Sequence, residues 1–247
     1  ARLRPGAIAL VTGASSGIGA LLVDALAARG CRVIGAARNT DKLLATAARL
    51  GAAFLPLTLD ITDAAAVAGL PASLPADWRE ISILVNNAGH DTGGRERFDD
   101  CETEALARIV ETNVTGMIRV SKAIIPGMLA RKGGDVVNVG STSGHFALAN
   151  DAAYVASKFA INGLCQALRA DYQGQGMRII EVSPGVVRTG FAETRHHGDA
   201  DRAATFYESF PAVLEAEDVV RAIVFALEQP AHVTIGELLM FPSSGPR

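Results

Sequence analysis

Seven short apolar segments, separated by longer stretches with helical periodicity, constrain the fold of this chain more than any other feature. The segments are nearly continuous in apolar residues rather than alternating, which is typical of parallel strands covered by helices on both faces. The repeated order of strand, helix and strand predicts an α/β fold with a doubly wound parallel sheet. The predicted strands, in chain order, read AIALVT, CRVIGAA, FLPLTLD, ISILVNNA, DVVNVG, MRIIEVS and GELLMF.

Helical patterns fill the intervals between these segments. A length of 247 residues suits a single α/β domain, and the sequence contains no linker, internal repeat or low-complexity segment. The longest polar irregular stretch, residues 188–210, follows the sixth predicted strand, where a substrate lid is expected in such folds. The predicted helices are residues 17–29, 41–50, 103–131, 152–174 and 216–228.

Charge and cysteine content exclude several functional classes. The net charge is −3 and no block of like charges occurs, so we expect neither a nucleic acid nor an anionic membrane as a partner. The apolar run near the N-terminus is too short for a signal peptide or a membrane span. Three widely separated cysteines without a CxxC pair favour a reducing cytoplasmic location and no metal site.

A glycine-rich turn, TGASSGIG at residues 12–19, follows the first predicted strand and opens the first predicted helix. Its glycines allow a tight turn and a close approach of the backbone to a ligand. The unpaired amides at the helix start suit a pyrophosphate, so the turn predicts dinucleotide binding in a Rossmann-like fold. The predicted cofactor contacts here are Gly13, Ser15, Ser16, Gly17, Ile18 and Gly19.

The end of the second predicted strand indicates which dinucleotide is bound. An NAD site usually has an acidic residue there for the ribose hydroxyls, but Ala36 and Ala37 are followed by Arg38. A guanidinium can pair with a 2′-phosphate, which favours NADP, although Arg38 can also be a solvent-facing residue before the next helix. Asp60 is placed either to bind the adenine amine or to cap the following helix, and Ile61 is expected to contact the cofactor.

The chain resembles the short-chain dehydrogenase/reductase family over nearly its whole length. The motifs TGASSGIG, NNAG at residues 86–89, ETNVTG, NVGSTSG, YVASK at residues 154–158 and SPGVVRT at residues 183–189 occur in the family's order. The resemblance implies that the catalytic residues are Asn113, Ser141, Tyr154 and Lys158. It also implies that the cofactor contacts Asn87, Ala88, Gly89, Pro184, Gly185, Val187 and Thr189, besides Tyr154 and Lys158.

The spacing of Tyr154 and Lys158 has a physical reason. Residues four apart share one face of a helix, so the phenol and the ammonium group can meet. A nearby ammonium and a cationic oxidised nicotinamide favour the phenolate and are expected to lower the pKa of Tyr154 from about 10. Tyr154 would then exchange a proton with an alcohol or its alkoxide, and Ser141 would hydrogen-bond the carbonyl oxygen. The resemblance implies that Asn113 fixes a water linked to Lys158.

Within the family, the chain resembles the branch that contains serine-type 3-hydroxy acid dehydrogenases, through GST at residues 140–142 and PAHV at residues 230–233. Arg195, His196 and His197 form a basic cluster in the expected lid. We hypothesise that Arg195 pairs with a substrate carboxylate or sulfonate; the alternative is a solvated loop charge. His145 is expected either to line the substrate pocket or to be a local polar residue.

The sequence therefore predicts an NADP-dependent oxidoreductase acting on a small alcohol or carbonyl compound, with a 3-hydroxy acid as the leading candidate. A reductase of a larger neutral ketone stays open because aromatic residues occur in the lid. A non-catalytic NADP-binding regulatory protein is disfavoured by the complete catalytic set. A lyase or epimerase is disfavoured by the chain length. Relatives are commonly tetramers, so the resemblance also implies a homotetramer.

Overall fold

All seven predicted strands are present and form one parallel sheet. The computed structural model describes residues 3–93, 96–195 and 198–244. The strands are β1 (Ile8–Thr12), β2 (Arg32–Ala37), β3 (Phe54–Thr58), β4 (Ile81–Asn86), β5 (Gly134–Val139), β6 (Met177–Pro184) and β9 (Glu237–Met240), with the short pair β7 (Val187–Arg188) and β8 (Leu214–Glu215) forming a second sheet. The strand order is β3-β2-β1-β4-β5-β6-β9, and the direction of winding reverses between β1 and β4. The doubly wound fold predicted from the sequence is therefore confirmed.

Helices cover both faces of the sheet, as the apolar strands require. The helices are α1 (Gly17–Ala27), α2 (Thr40–Leu50), α3 (Ala64–Ser73), α4 (Thr103–Val110), α5 (Met117–Ala130), α6 (Ala152–Asp171), α7 (Phe191–Arg195), α8 (Ala200–Glu208) and α9 (Ala216–Glu228). One apolar cluster packs the sheet against α1, α2 and α9, and the other packs it against α3, α5 and α6. Within the described residues, no helix combines the length and apolarity needed to cross a membrane.

The long helix predicted at residues 103–131 is in fact divided. A π-helical segment, Glu111–Gly116, separates α4 from α5. The wide turn lets the side chain of Asn113 point at the backbone of His90, to which it is hydrogen-bonded. The other four predicted helices are present, with ends shifted by a few residues. The stretch 188–210 was expected to be irregular, but it carries β7 and the short helices α7 and α8.

A buried ion pair joins the neighbouring strands β5 and β6. Arg178 and Asp135 form a bidentate pair with both N–O distances at 2.8 Å, and their side chains are 1% and 0% exposed. The same guanidinium donates hydrogen bonds to backbone carbonyls at and beyond the end of α9, including that of Leu227 at 2.9 Å. Arg178 therefore ties the sheet to the C-terminal helix.

Candidate active site

A cavity of about 440 Å³ opens at the carboxyl ends of the strands, on both sides of the reversal point between β1 and β4. This is where ligands bind in open α/β sheets. Most residues predicted for the site line it. They are Gly13, Ser15, Ser16, Gly17, Ile18, Arg38, Asp60, Ile61, Asn87, Ala88, Gly89, Ser141, Tyr154, Lys158, Pro184, Gly185, Val187, Thr189 and Arg195. Gly19, Asn113 and His145 are not among the lining residues.

The glycine-rich turn needs its glycines for conformation and for space. Gly13 and Gly17 have φ angles of +66° and +53°, which favour glycine. Gly19 does not face the cavity but packs beneath the turn, where a Cβ atom would lie 2.3 Å from the carbonyl oxygen of Gly13. The side chain of Asn87 braces the turn by donating to the carbonyl oxygen of Thr12 at 3.0 Å.

The start of α1 fits a phosphate group. Ser16 stands at the N-cap with an extended backbone, and its side chain makes no capping hydrogen bond. The first amides of the helix therefore remain available to an anion at the positive end of the helix dipole. The Thr12 hydroxyl holds the adjoining strand end by accepting from the backbone amides of Asn87 and Ala88 at 3.0 and 3.1 Å. The sequence analysis did not identify this role of Thr12.

The ends of β2 and β3 supply two polar groups to the cavity. Arg38 is exposed directly after β2, beside the small buried residue Ala37. Asp60 accepts hydrogen bonds from the amide and the hydroxyl of Thr62 at 2.9 and 2.7 Å, which lowers its pKa. The helix-cap alternative for Asp60 is wrong, because Asp63 caps α3. Asp60 instead holds the turn while lining the cavity.

Tyr154 and Lys158 share one face of α6, as the spacing predicts. The Lys158 ammonium nitrogen lies 5.4 Å from the centre of the Tyr154 ring and donates to the carbonyl oxygen of Val139 at 3.0 Å. Ser141 follows β5 and lies beside the phenol. The Tyr154 ring stacks at an angle on Phe191 of α7, with ring centres 5.8 Å apart. The predicted proton donor, its lysine and the predicted carbonyl-binding serine are therefore together.

Burial changes the ionisation of both α6 residues. Tyr154 is partly exposed as a residue, but its hydroxyl lies deep in the cavity, and this burial raises its pKa above the ordinary value. The Ser141 hydroxyl and the charge of Arg195 oppose that rise. In the protein alone, burial outweighs the groups that lower the pKa of Tyr154, and the lowering expected from the cationic nicotinamide stays a prediction. Burial lowers the pKa of Lys158 to about 8, with Glu181 opposing.

The depressed pKa of Lys158 predicts a pH-dependent cost to stability. Between pH 8 and 10.5 the unfolded chain binds more protons than the folded chain, so the free energy of unfolding rises with pH in this window. We expect Lys158→Met to be more stable than the parent at pH 7 by about 2 kcal/mol, after allowing for the lost hydrogen bond to Val139. Urea unfolding from pH 7 to 10 should show this difference shrinking, and a constant difference would contradict the argument.

Asn113 connects the π-helical segment to the catalytic helix. Its side-chain amide accepts from the amide of His90 and donates to the carbonyl oxygen of His90, both at 2.9 Å. It also donates to Ser157 at 3.1 Å, and Ser157 donates to the carbonyl oxygen of Tyr154 at 2.7 Å. Asn113 therefore lies behind the cavity wall and braces the helix that carries Tyr154. Its predicted link through water to Lys158 stays a prediction.

His145 does not line the cavity, so the expectation that it lines the substrate pocket is wrong. Its Nε2 atom lies 2.6 Å from the Glu237 carboxylate of β9, and its side chain is packed at the edge of the sheet. The turn after Ser141 directs His145 toward β9 rather than toward Tyr154. The alternative expectation, a local polar residue, fits this position.

Arg195 lies inside the site rather than on a solvated loop. It is 6% exposed, and its Nε atom lies 2.6 Å from Oδ2 of the fully buried Asp91, in a close ion pair rather than a well-directed hydrogen bond. The guanidinium also stacks on Phe191 and Phe206, at 5.4 and 4.9 Å from the ring centres. Among the residues that the structure describes, none accepts a hydrogen bond from its two Nη atoms, although Arg195 lines the cavity. His196 and His197 lie outside the described residues.

Two acidic residues that sequence reasoning missed accompany Arg195. Asp91 follows the NNAG motif, and Asp151 stands at the N-cap of α6 and is 3% exposed. Burial raises the pKa of Asp91 to about 7, with Arg195 opposing and the contacting Asp151 carboxyl adding to the rise. The polar residues after Gly89 were the sequence signal for Asp91, but their spacing does not indicate which residues they pair with. Asp151 lies three residues before Tyr154 in the sequence.

Comparisons with known proteins agree with this geometry. A family model described as short chain dehydrogenase matches residues 7–200. The NADP-dependent 3-hydroxy acid dehydrogenase YdfG of Salmonella typhi is 36% identical over 236 residues, covering 95% of this chain and 94% of that protein. The NADP-dependent 3-hydroxy acid dehydrogenase of Schizosaccharomyces pombe is 34% identical over 239 residues, covering 95% and 92%. The closed form of serine dehydrogenase complexed with NADP+ superimposes with a TM-score of 0.91 at 35% identity, covering 94% of each chain.

Proposed function

The chain belongs to the short-chain dehydrogenase family, and we propose that it interconverts a small 3-hydroxy acid and the corresponding carbonyl compound with NADP. NADP dependence and oxidoreductase activity agree with both curated relatives and with the structural neighbour that binds NADP+. The residue roles below are proposals that rest on the geometry of the cavity.

The cavity fits a dinucleotide that carries a 2′-phosphate. Gly13 and the free amides at the start of α1 would hold the pyrophosphate, and Asp60 would face the adenine. Arg38 would pair with the 2′-phosphate, since no acidic side chain follows β2 at this position. The nicotinamide end would lie near Lys158 and Thr189. When bound, NADP supplies or accepts the hydride.

Tyr154 would give the proton to the alkoxide oxygen in reduction and remove it from the alcohol in oxidation. Burial raises the pKa of its phenol and so favours the protonated form, which suits a proton donor in the direction of reduction. Ser141 would hydrogen-bond the same substrate oxygen where negative charge develops. Lys158, close to the ring, would stabilise the phenolate that forms when Tyr154 has given up its proton.

A single observation carries the choice of an acidic substrate. Arg195 is a buried guanidinium next to Tyr154, and its Nη atoms have no acceptor within the described residues. Because Arg195 lines the cavity, its Nη atoms can bind a carboxylate there in a bidentate manner. The aromatic rings of Phe191 and Phe206 pack on the guanidinium, so they serve the anion site rather than a larger neutral ketone.

Replacing Arg195 tests this proposal. We expect Arg195→Met to raise the KM for 3-hydroxypropionate about 10- to 100-fold, since a hydrogen-bonded charge is removed. The neutral isostere 3-hydroxypropionamide, assayed with the same preparation and NADP+, should lose less than threefold. Equal losses for the acid and the amide would mean that Arg195 does not bind the carboxylate.

We also propose a homotetramer in a reducing, cytoplasmic location. Exposed apolar side chains lie on α4, α5 and α6 at Val110, Ile118 and Phe159, and a second apolar position is Phe225 on α9. Such positions suit contacts between subunits. Three free cysteines are compatible with a reducing compartment.

A further inference from the structure

A buried carboxyl group that the proposed catalytic roles do not use lies behind the helix that carries Tyr154. It belongs to Glu181 of β6, which is fully buried. One of its oxygens accepts a hydrogen bond from the side-chain amide of Asn162 at 3.0 Å, and the other accepts from the hydroxyl of Ser183 at 2.9 Å. An ionised carboxyl group is costly to bury unless it is hydrogen-bonded and has a cation close by, so a positive partner is expected.

Lys158 is the cation on the adjoining face of α6. Tyr154, Lys158 and Asn162 follow one another at intervals of four residues and therefore share one side of the helix. Asn162 reaches Glu181, while Lys158, one turn earlier, donates to the carbonyl oxygen of Val139 at 3.0 Å. Burial lowers the pKa of Lys158 to about 8, and the charge of Glu181 opposes this fall.

Gly140 lets the carboxyl group approach the site from behind. A Cβ atom at this position would lie only 2.6 Å from Oε1 of Glu181. Gly140 stands between Val139, whose carbonyl oxygen binds Lys158, and Ser141. The carboxyl group of Glu181 therefore packs against the same short segment of backbone that holds the lysine and carries the serine.

Other ionisable groups also face Glu181. One carboxyl oxygen of Glu181, one of Glu237 and a ring nitrogen of His145 lie within 4.8 Å of one another. Burial and the charge of Glu237 raise the pKa of Glu181, whereas its hydrogen bonds and the charge of His145 oppose the rise. The Cys165 thiol of α6 stays neutral beside Glu181, because burial raises its pKa to about 12.

We propose that Glu181 is a positioning residue for the reaction, which holds the ammonium group of Lys158 in its charged form beside Tyr154. The catalytic consequence rests on the proposed function, in which a charged Lys158 stabilises the phenolate that Tyr154 becomes in reduction. The other ionisable groups that act on or touch Lys158 are the Tyr154 phenol and the Asp91 carboxyl group. Without the negative charge of Glu181, Lys158 loses its proton at a lower pH, so reduction should also fail at a lower pH.

The first test is a pH profile of kcat/KM for the reduction of 3-oxopropionate by NADPH. In the parent we expect the rate to fall with a midpoint near pH 8, where Lys158 loses its proton. Glu181→Gln keeps the shape of the side chain and both hydrogen bonds, because the Ser183 hydroxyl can accept as well as donate. This variant should move the midpoint downward by about one pH unit or more.

Two further variants separate the charge of Glu181 from its packing. Glu237→Gln removes a neighbouring carboxyl group that disfavours the ionised form of Glu181, so it should not move the midpoint downward. Glu181→Asp keeps the negative charge but shortens the reach to Asn162, so its midpoint should stay closer to the parental value than that of Glu181→Gln. A purely structural role predicts instead that aspartate is no better than glutamine.

A second measurement does not depend on catalysis. Urea unfolding at neutral pH compares Glu181→Gln in the parent and in Lys158→Met. We expect the substitution to lower the urea midpoint in the parent, where Lys158 loses its counter-ion, and to leave it unchanged or raise it in Lys158→Met. If Glu181→Gln alone is too unstable to purify, the double variant should still fold, and Glu181→Asp then carries the pH profile.

The outcomes distinguish this inference from the proposed function. Equal effects of Glu181→Gln in the two urea backgrounds, an unmoved pH midpoint, or an equal downward shift in Glu237→Gln would overturn the role of Glu181 and leave the proposed function standing. A double variant that does not fold would overturn that role as well. Absence of 3-oxopropionate reduction by the parent would overturn the proposed function, and the urea comparison would still decide whether Glu181 stabilises the charge of Lys158.

Discussion

Tyr154→Phe is expected to lower kcat about a thousandfold or more, in both reaction directions, while the protein still binds NADPH. The substitution removes only the hydroxyl, and the phenyl ring keeps its contact with Phe191. General acid–base groups contribute about 10²- to 10⁴-fold to enzymatic rates. The loss should lie at the upper end, because the buried cavity leaves bulk water poorly placed to replace the phenol. Initial rates and NADPH fluorescence titration of the same samples measure both properties.

A matched tyrosine gives the control for this prediction. Tyr172 lies at the end of α6 and packs against the apolar cluster on that face of the sheet, so Tyr172→Phe should keep nearly full activity. A Tyr154→Phe protein with more than about a tenth of the parental kcat would assign proton transfer to another group. Loss of NADPH binding in that variant would instead indicate a structural role for the hydroxyl.

Asp135→Ala is expected to cause the largest loss of stability. Removing one partner of a buried ion pair leaves an uncompensated charge, which typically costs about 3–5 kcal/mol. Here the remaining Arg178 guanidinium is 1% exposed and lies between strands β5 and β6 and the end of α9. For a domain of this size, a loss of that magnitude corresponds to a fall in Tm of about 10 °C.

An exposed ion pair provides the comparison. Asp99 pairs with Arg97 at 2.9 Å, but both side chains are mostly exposed, so Asp99→Ala should change the free energy of unfolding by less than about 1 kcal/mol. Thermal unfolding followed by circular dichroism measures both variants under one condition. Comparable shifts in Tm for the two variants would show that the Arg178–Asp135 pair has no special structural role.

The sequence was sufficient for the sheet and for the glycine-rich turn that lines the cavity. Apolar runs bounded by turns define parallel strands because both faces of such strands are buried, and all seven runs became strands. The glycine-rich turn was predictable because its positive φ angles and tight packing exclude other residues. Likewise, the i, i+4 spacing of Tyr154 and Lys158 brings their side chains together on any helix.

Contacts between residues far apart in the sequence could not be predicted from the spacing of motifs. Asp91 and Arg195 are separated by more than a hundred residues, and only the fold brings the loop after β4 against α7. For the same reason, the orientation of the His145 side chain could not be predicted from the sequence, since its partner Glu237 lies on the last strand. The π-helical segment around Asn113 was also missed, because it depends on hydrogen bonds to the backbone of His90 rather than on local propensity.

The most direct test of the account is the reduction of NADP+ by the purified protein with a 3-hydroxy acid. Serine, 3-hydroxypropionate and 3-hydroxypropionamide would each be assayed with NADP+ and with NAD+, with Tyr154→Phe as the blank. We predict Tyr154-dependent turnover of at least one of the two acids, with NADP+ preferred over NAD+ and the acid preferred over the amide. Turnover of the amide alone, or of the acids equally well with NAD+, would contradict the assigned substrate or cofactor site.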